Sequence, residues 1–122
     1  KSVGCEHTFI EDLSLPSAIL IELYHLVVEL SERIHKGNFE GKTLTLKIKY
    51  GDFKQITRSI TVQNALKSKE DILPLAKRLL HLVRYDNAHT IRLMGLSVSN
   101  PGDDGTSKRP EWIQLELEFK EW

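Results

Sequence analysis

The feature that most constrains how this chain can fold is the alternation in residues 43–50, which read TLTLKIKY. Apolar side chains occupy every second position, and hydroxyl or ammonium groups occupy most of the others. The apolar set is Leu44, Leu46, Ile48 and Tyr50; the polar set includes Thr45, Lys47 and Lys49. Successive side chains of a strand point to opposite faces. The segment is therefore predicted to be a strand with one buried face and one basic outer side.

A second strand is predicted over residues 55–62, QITRSITV, with GDF at residues 51–53 as the turn of a hairpin. Ile60 and Val62 have the parity of inward-facing residues. Arg58 shares that parity, although a charged side chain is rare in an apolar core. We therefore expect a β-bulge or a strand end near Arg58.

Apolar residues recur at helical spacing from Ile19 to Ile34. This period predicts a helix over residues 17–36. Ser17 is its predicted N-cap, and Gly37 follows a basic last turn, which is a common stop signal.

A second helix is predicted over residues 69–84. Both Ser68 and Asp71 have side chains that can cap its first turn. Asp71 is preferred as the cap, because this choice puts Pro74 in the first turn, where its missing N–H costs nothing.

Two shorter patterns predict the first strand of the domain, at residues 2–9, and the last, at residues 90–99. The order β-α-β-β-α-β is the split βαβ arrangement, an α+β fold whose four-stranded sheet carries both helices on one face. The predicted domain covers residues 1–100. Residues 101–122 are predicted to be a flexible tail, because they begin with the turn-rich stretch PGDDGTSKRP.

The charges of the chain balance, with 17 basic and 17 acidic residues. Residues 42–58 nevertheless hold five basic residues and one acid, and residues 103–122 hold six acids and three bases. A neutral total can therefore combine a basic face with an acidic tail. The single cysteine, Cys5, excludes an internal disulfide, and no signal peptide or membrane span is visible, so we expect a cytoplasmic protein. We also expect a monomer.

No catalytic motif is recognisable. The five histidines lack metal-site spacing, and no phosphate-binding glycine loop occurs. The acidic pairs at residues 11–12 and 103–104 are interpreted as solvated loop residues rather than metal ligands. What remains is a polar sheet face, for which two interpretations stay open: phosphate contacts by Lys, Ser and Thr, or a solvated face whose lysines prevent edge pairing.

Four segments in order carry a resemblance to a known family. They are residues 1–13 (KSVGCEHTFIEDL), 46–59 (LKIKYGDFKQITRS), 91–100 (IRLMGLSVSN) and 114–119 (QLELEF). Together they resemble the little finger domain of Y-family translesion DNA polymerases of the DinB or polymerase IV type. The resemblance implies the same β-α-β-β-α-β fold and a role in error-prone DNA damage bypass and repair.

In that family the domain follows the palm, fingers and thumb, and its open sheet face grips the backbones of the primer–template duplex. The catalytic carboxylates and their Mg²⁺ belong to the palm, so the resemblance implies no cofactor and no activity in this fragment alone. The implied DNA contacts are Lys1, Ser2, Val3, Gly4, Thr8, Lys47, Lys49, Thr57, Arg58, Ser59, Arg92 and Gly95. His7 and Ser97 stand where relatives carry basic residues, so weaker DNA binding is expected from this face.

The resemblance also bears on QLELEF at residues 114–119. Relatives end in a peptide that binds the bacterial sliding clamp, and the matching positions are Gln114, Leu115, Leu117 and Phe119. An extended peptide of this kind can place alternate apolar side chains in a pocket. One more amphipathic strand would show the same alternation.

Two other functions are compatible with the strand order. An RNA-recognition-like module for single-stranded nucleic acid would need aromatic residues on the open face, and its sequence motif is absent. A small enzyme of the acylphosphatase type would need an arginine in a phosphate-binding loop near the first strand, and VGCEHTF offers none.

Overall fold

The computed structural model describes residues 2–100 and confirms the predicted β-α-β-β-α-β order. The elements are β1 (Ser2–Leu13), α1 (Pro16–Gly37), β2 (Thr43–Tyr50), β3 (Gln55–Thr61), α2 (Lys69–Leu80) and β4 (Ile91–Ser99). The strands form one sheet in the order β1-β4-β2-β3, and all neighbours are antiparallel. Lys1, the predicted tail at residues 101–122 and the peptide at 114–119 lie outside the described residues.

The alternation of β2 sets the two faces of the sheet. Leu46 pairs with Leu96 of β4 and with Arg58 of β3, and its side chain is fully buried beneath the helices. The other inward positions of β2 are buried in the same core. Both helices contribute to this core and contact each other. One face of the sheet is therefore covered, and no other element of residues 2–100 covers the opposite face.

Helix α1 begins at Pro16 with Leu15 as the cap residue, so the prediction of Ser17 as N-cap was wrong. Proline suits the first helical position because its ring fixes φ and its missing N–H is not needed there. At the other end Gly37 is still helical, and Asn38 takes the left-handed conformation with φ 53°. Asn is one of the few residues that adopt this conformation readily.

Helix α2 is capped by Ser68, and the prediction of Asp71 as N-cap was therefore wrong. The Ser68 hydroxyl accepts the Asp71 N–H while the Asp71 carboxylate accepts the Ser68 N–H, which satisfies both groups in a capping box. Pro74 consequently lies inside the helix. The helix also ends at Leu80 rather than at residue 84. The prediction was too long because Val83 continues the apolar pattern, although it lies in a turn that packs against the core.

Strand β1 extends to Leu13, beyond the predicted end at residue 9, because the chain resumes pairing after an irregular segment between Thr8 and Leu13. The acidic pair at residues 11–12 therefore belongs to β1 rather than to a loop. Asp12 accepts a hydrogen bond from the Thr90 hydroxyl at 3.0 Å, which fastens this end of β1 to the start of β4.

The bulge expected near Arg58 is absent, since β3 pairs with β2 in unbroken register. Arg58 lies on the helix-covered face and is only 6% exposed. Its guanidinium donates to the carbonyl of Thr57 at 2.9 Å. A bulge occurs instead in β4, where Arg92 is the extra residue. Its neighbours Ile91 and Leu93 pair with Tyr50 and Lys49, which are consecutive in β2. Among residues 2–100, no helix is long and apolar enough to cross a membrane.

Candidate nucleic-acid interface

The uncovered side of the sheet is called the open face, and strand register defines its members. They are Ser2, Gly4, Glu6 and Thr8 of β1, Leu93, Gly95, Ser97 and Ser99 of β4, Thr43, Thr45, Lys47 and Lys49 of β2, and Gln55, Thr57, Ser59 and Thr61 of β3. Most of these side chains carry a hydroxyl group. Such a surface offers hydrogen bonds and positive charge rather than apolar area, as phosphate contacts require.

Cross-strand hydroxyl pairs order the β2–β3 side of the open face. The Thr45 and Ser59 hydroxyls lie 2.7 Å apart, and those of Thr43 and Thr61 lie 2.8 Å apart. Each pair uses a single hydrogen bond, and a hydroxyl can make further ones. Both pairs therefore fix their side chains, and the partly exposed Thr45–Ser59 pair keeps capacity for a ligand, whereas Thr43 is only 6% exposed.

Two glycines keep the middle of the open face low. A Cβ on Gly4 would lie 2.9 Å from the Cβ of Ser97, and one on Gly95 would lie 3.0 Å from the Cβ of Glu6. A shallow depression of about 340 Å³ lies over these glycines and is bordered by Thr45, Lys47 and other open-face residues. At Gly95 the Glu6 side chain overhangs the floor, with one carboxylate oxygen 3.4 Å from where a Cβ would lie. A phosphodiester chain can therefore come closest to a peptide group at Gly4.

Lys47 stands at the rim of this depression and is paired with an acid. Its ammonium lies 3.0 Å from a carboxylate oxygen of Glu6, and both side chains are partly exposed. A surface ion pair of this kind stabilises the fold little. The pair does offset the positive charge of Lys47. Glu6 was not among the residues predicted for this face.

The hairpin end of the open face carries a different arrangement. Lys49, Phe53 and Arg92, here called the hairpin cluster, converge beside the β2–β3 turn. The Arg92 guanidinium carbon lies 4.9 Å from the centroid of the Phe53 ring, and the Lys49 ammonium lies 5.9 Å from it. Phe53 itself is 62% exposed. The turn predicted for GDF at residues 51–53 gave no indication of a role for this ring.

The structure corrects two predictions for β1 and β3. His7 lies on the helix-covered face, where its Nε2 is 2.8 Å from Glu29 of α1. The prediction that His7 replaces a basic residue on the DNA-facing side was therefore wrong. Arg58 also lies on the covered face rather than lining a groove. Strand parity explains both: His7 alternates with Glu6 and Thr8, and Arg58 alternates with Thr57 and Ser59.

The other predicted DNA contacts fall into three groups. The structure brings together on the open face Ser2, Gly4, Thr8, Lys47, Lys49, Thr57, Ser59 and Gly95, with Arg92 beside them in the hairpin cluster. The Val3 side chain packs against the core, so only its backbone is available at this edge strand. Lys1 is not among the described residues.

Cys5 lies beneath the open face and points toward α1. Its thiol lies 3.5 Å from the Leu26 carbonyl as a hydrogen-bond donor. The pKa of the Cys5 thiol is raised to about 11, chiefly by burial. The nearby Glu29 carboxylate contributes to this rise, and the Arg33 guanidinium partly opposes both effects. The thiol is therefore protonated at neutral pH and a poor nucleophile. No group of three potential metal ligands occurs within residues 2–100.

Sequence comparison identifies relatives across the whole chain. The profile of the impB/mucB/samB family C-terminal domain matches residues 1–114. A DNA polymerase IV from Bacteroides fragilis (strain YCH46) is 53% identical over 122 residues, covering 100% of this chain and 33% of that protein. A DNA polymerase IV from Akkermansia muciniphila is 44% identical over 119 residues, covering 98% of this chain and 33% of that protein. The chain thus spans about a third of the length of the curated relatives it matches.

Structural comparison gives the same fold. One similar structure is described as a complex of beta-clamp processivity factor and the little finger domain of PolIV. It aligns with a TM-score of 0.66 at 26% identity, covering 82% of this chain and 88% of that one. A post-insertion binary complex of Dbh DNA polymerase aligns with a TM-score of 0.68 at 20% identity, covering 81% of this chain and 28% of that one. The second match supports the fold alone.

Proposed function

The chain belongs to the family of impB/mucB/samB C-terminal domains, and we propose that it is the DNA-gripping little finger of an error-prone, DinB-type translesion polymerase. The single observation that carries the proposal is the open face: an uncovered sheet surface of hydroxyls, two lysines and a glycine-floored depression. Such a surface is suited to contacts with the duplex backbone.

The proposed grip follows from the chemistry of this surface. Lysine ammonium groups neutralise phosphates, and Ser and Thr hydroxyls donate hydrogen bonds to phosphate oxygens. Over Gly4 the DNA backbone would approach a peptide group closely. Because phosphates repeat regularly, these contacts hold the duplex without regard to sequence and weaken as salt rises.

Within the parent enzyme, this domain would hold the primer–template duplex while the palm, fingers and thumb perform synthesis. We propose that the catalytic carboxylates and their Mg²⁺ lie in the palm. The bypass of damaged DNA would then depend on this domain for grip rather than for chemistry. The proposal includes a cytoplasmic location and a monomeric polymerase.

A second proposed partner is the bacterial sliding clamp. The similar structure of a PolIV little finger domain was determined in complex with a beta-clamp. In this chain Gln114, Leu115, Leu117 and Phe119 have the spacing of a clamp-binding peptide. We propose that these residues bind the clamp in an extended conformation, with the three apolar side chains buried in its pocket.

The DNA grip is tested by fluorescence anisotropy of a labelled primer–template duplex titrated with the 122-residue chain over a series of salt concentrations. Lys47→Gln should weaken binding and reduce the salt slope, by up to about 0.9 if Lys47 neutralises one phosphate. Lys77→Gln, an equal loss of charge on the exposed side of α2, is the matched control and should have a smaller effect. Equal effects of the two variants, or preferential binding of single-stranded RNA, would contradict the proposed role of the open face.

The clamp interaction is tested separately by calorimetric titration of the chain into bacterial sliding clamp. The chain should bind, and a version ending at Pro110 should not. Phe119→Ala should remove most of the affinity, while Glu118→Ala should retain it, because the proposed peptide leaves Glu118 in solvent. Undiminished binding by the shortened chain would exclude QLELEF as the clamp peptide.

A further inference from the structure

Phe53 occupies a position that ordinarily suits glycine. It closes the β2–β3 hairpin: its N–H donates to the Tyr50 carbonyl at 2.8 Å, and the Tyr50 N–H donates to the Lys54 carbonyl at 2.8 Å. Its φ is 72°, which lies in the left-handed region. Hairpins of this loop length usually place glycine at the left-handed position, and a bulky residue there is strained. The turn alone therefore does not explain a phenylalanine.

Burial does not explain the residue either, because the Phe53 side chain is 62% exposed and outside the core. An isolated exposed apolar residue is ordinary. Phe53 is not isolated, since cations from two different strands converge on its ring: Lys49 of β2 and Arg92 of β4. Arg92 stands at the β4 bulge, where the extra residue alters the direction of the strand.

The ring brings together two like charges that would otherwise repel. The negative face of an aromatic ring attracts cations within about 6 Å of its centroid, and both distances in the hairpin cluster fall within that limit. Asp52, the nearest acid along the turn, uses one carboxylate oxygen to accept the Lys54 N–H at 3.0 Å. The ring therefore supplies an attraction that leaves the charges of Lys49 and Arg92 in place.

We propose that Phe53 is a positioning residue for DNA phosphates: its ring holds Lys49 and Arg92 together as a two-cation clamp at the hairpin end of the open face. The proposal rests on the DNA grip proposed above. Free lysine and arginine side chains lose rotamer freedom when they bind a phosphate. Holding them beforehand lowers that cost and so raises affinity. An acid in place of the ring would also hold the cations, but it would neutralise them.

Substitutions at Phe53 separate this role from a structural one. Phe53→Leu removes the ring while keeping an apolar side chain, and should weaken duplex binding by roughly three-fold, the equivalent of one exposed cation–π contact. Phe53→Tyr keeps a ring and should retain affinity. Phe53→Asn suits left-handed backbone, so it should raise the melting temperature and yet weaken binding. A purely structural residue would move stability and affinity in the same direction.

A double-mutant cycle tests whether the ring acts through the two cations. Anisotropy titrations of the 122-residue chain give the loss caused by Phe53→Leu alone and in the Lys49→Gln/Arg92→Gln background. The loss should disappear in that background. In the free protein, NMR should show ring-current shifts of the Arg92 side-chain protons that Phe53→Leu abolishes and Phe53→Tyr preserves.

The outcomes distinguish this proposal from the DNA grip itself. If the unaltered chain binds duplex and Phe53→Leu binds equally well, Phe53 has no positioning role and the DNA grip stands. An equal loss from Phe53→Leu with and without the two cations would show that the ring contacts DNA directly, and would overturn the clamp. If the unaltered chain binds no duplex at any salt concentration, both proposals fall together.

Discussion

The two faces of the sheet are built from the same strands and have opposite chemistry. On β2, Leu46 is fully buried under the helices, and the adjacent Thr45 turns its hydroxyl toward Ser59 on the open face. The covered face stabilises the fold through apolar burial, and the open face presents groups that a phosphate backbone can use. Adjacent residues of a strand therefore serve different roles, one in stability and the other in the proposed DNA contacts. A single substitution changes only one face.

The largest expected difference between the faces is in stability. Leu46→Ala should lower the free energy of unfolding by about 2–5 kcal/mol, because it leaves a cavity beneath both helices. Thr45→Val keeps the shape of the side chain and loses one exposed-face hydrogen bond, so it should cost less than about 1.5 kcal/mol. Urea unfolding of the two variants gives the comparison. Equal losses would mean that the open face is as much a part of the core as the covered one.

Thiol chemistry gives the next largest difference. Because burial raises the pKa of Cys5 to about 11, its reactive thiolate is scarce at pH 8 and becomes abundant only as the pH approaches that value. A cysteine introduced by Ser97→Cys, in a Cys5→Ser background, stands on the open face with a more ordinary pKa near 8.5. Iodoacetamide should modify it on the order of 100-fold faster at pH 8. Similar rates and pH profiles for the two thiols would contradict the different environments of the faces.

Arg58 is the charged residue that sharpens the comparison, since it lies on the covered face although the family resemblance assigns it to DNA. Arg58→Ala should lower the free energy of unfolding by roughly 2 kcal/mol, through lost packing of its stem and lost charged hydrogen bonding. Lys47→Ala should change stability little and binding more. If Arg58→Ala reduced the salt slope of DNA binding as much as Lys47→Ala, Arg58 would belong to the DNA surface after all.

The smallest expected effect concerns the acid on the open face. Glu6→Gln should free Lys47 for phosphate and tighten duplex binding by roughly three-fold at low salt. The salt slope should rise by only part of the about 0.9 that one full phosphate contact contributes, because Lys47 already makes some of that contact in the unaltered chain. Stability should hardly change, because exposed ion pairs contribute little. Glu32→Gln makes the same charge change on an exposed position of α1 and serves as the control. Tighter binding of both variants to the same degree would indicate a net-charge effect rather than release of Lys47.

Local patterns in the sequence were sufficient for the elements and for much of the open face. The alternation of residues 43–50 gave β2 with its observed bounds, and with it the directions of Lys47 and Lys49. The choice between Ser68 and Asp71 could not be made from residue type, since either side chain can cap. Here they act together, one at the cap and the other three residues on.

The errors at His7 and Phe53 have a different origin. Parity relative to Gly4 and Thr8 would have assigned His7 to the covered face, had the alternation of β1 been applied to it. Phe53 falls in the predicted turn, and Lys49 is close to it along the chain. Arg92 comes from β4, however, and only the paired sheet brings it to the ring.

The sheet order also determines how the domain must assemble. β2 and β3 meet across a short turn. Within residues 2–100, β1 pairs only with β4, from which nearly the whole domain separates it along the chain. Contacts between distant segments form slowly, because a large loop must close before they are made. During synthesis the ribosome releases β1 first and β4 last of these strands. The edge strand that carries Gly4 is therefore expected to join the sheet late, so that the depression above Gly4 and Gly95 exists only once folding is complete.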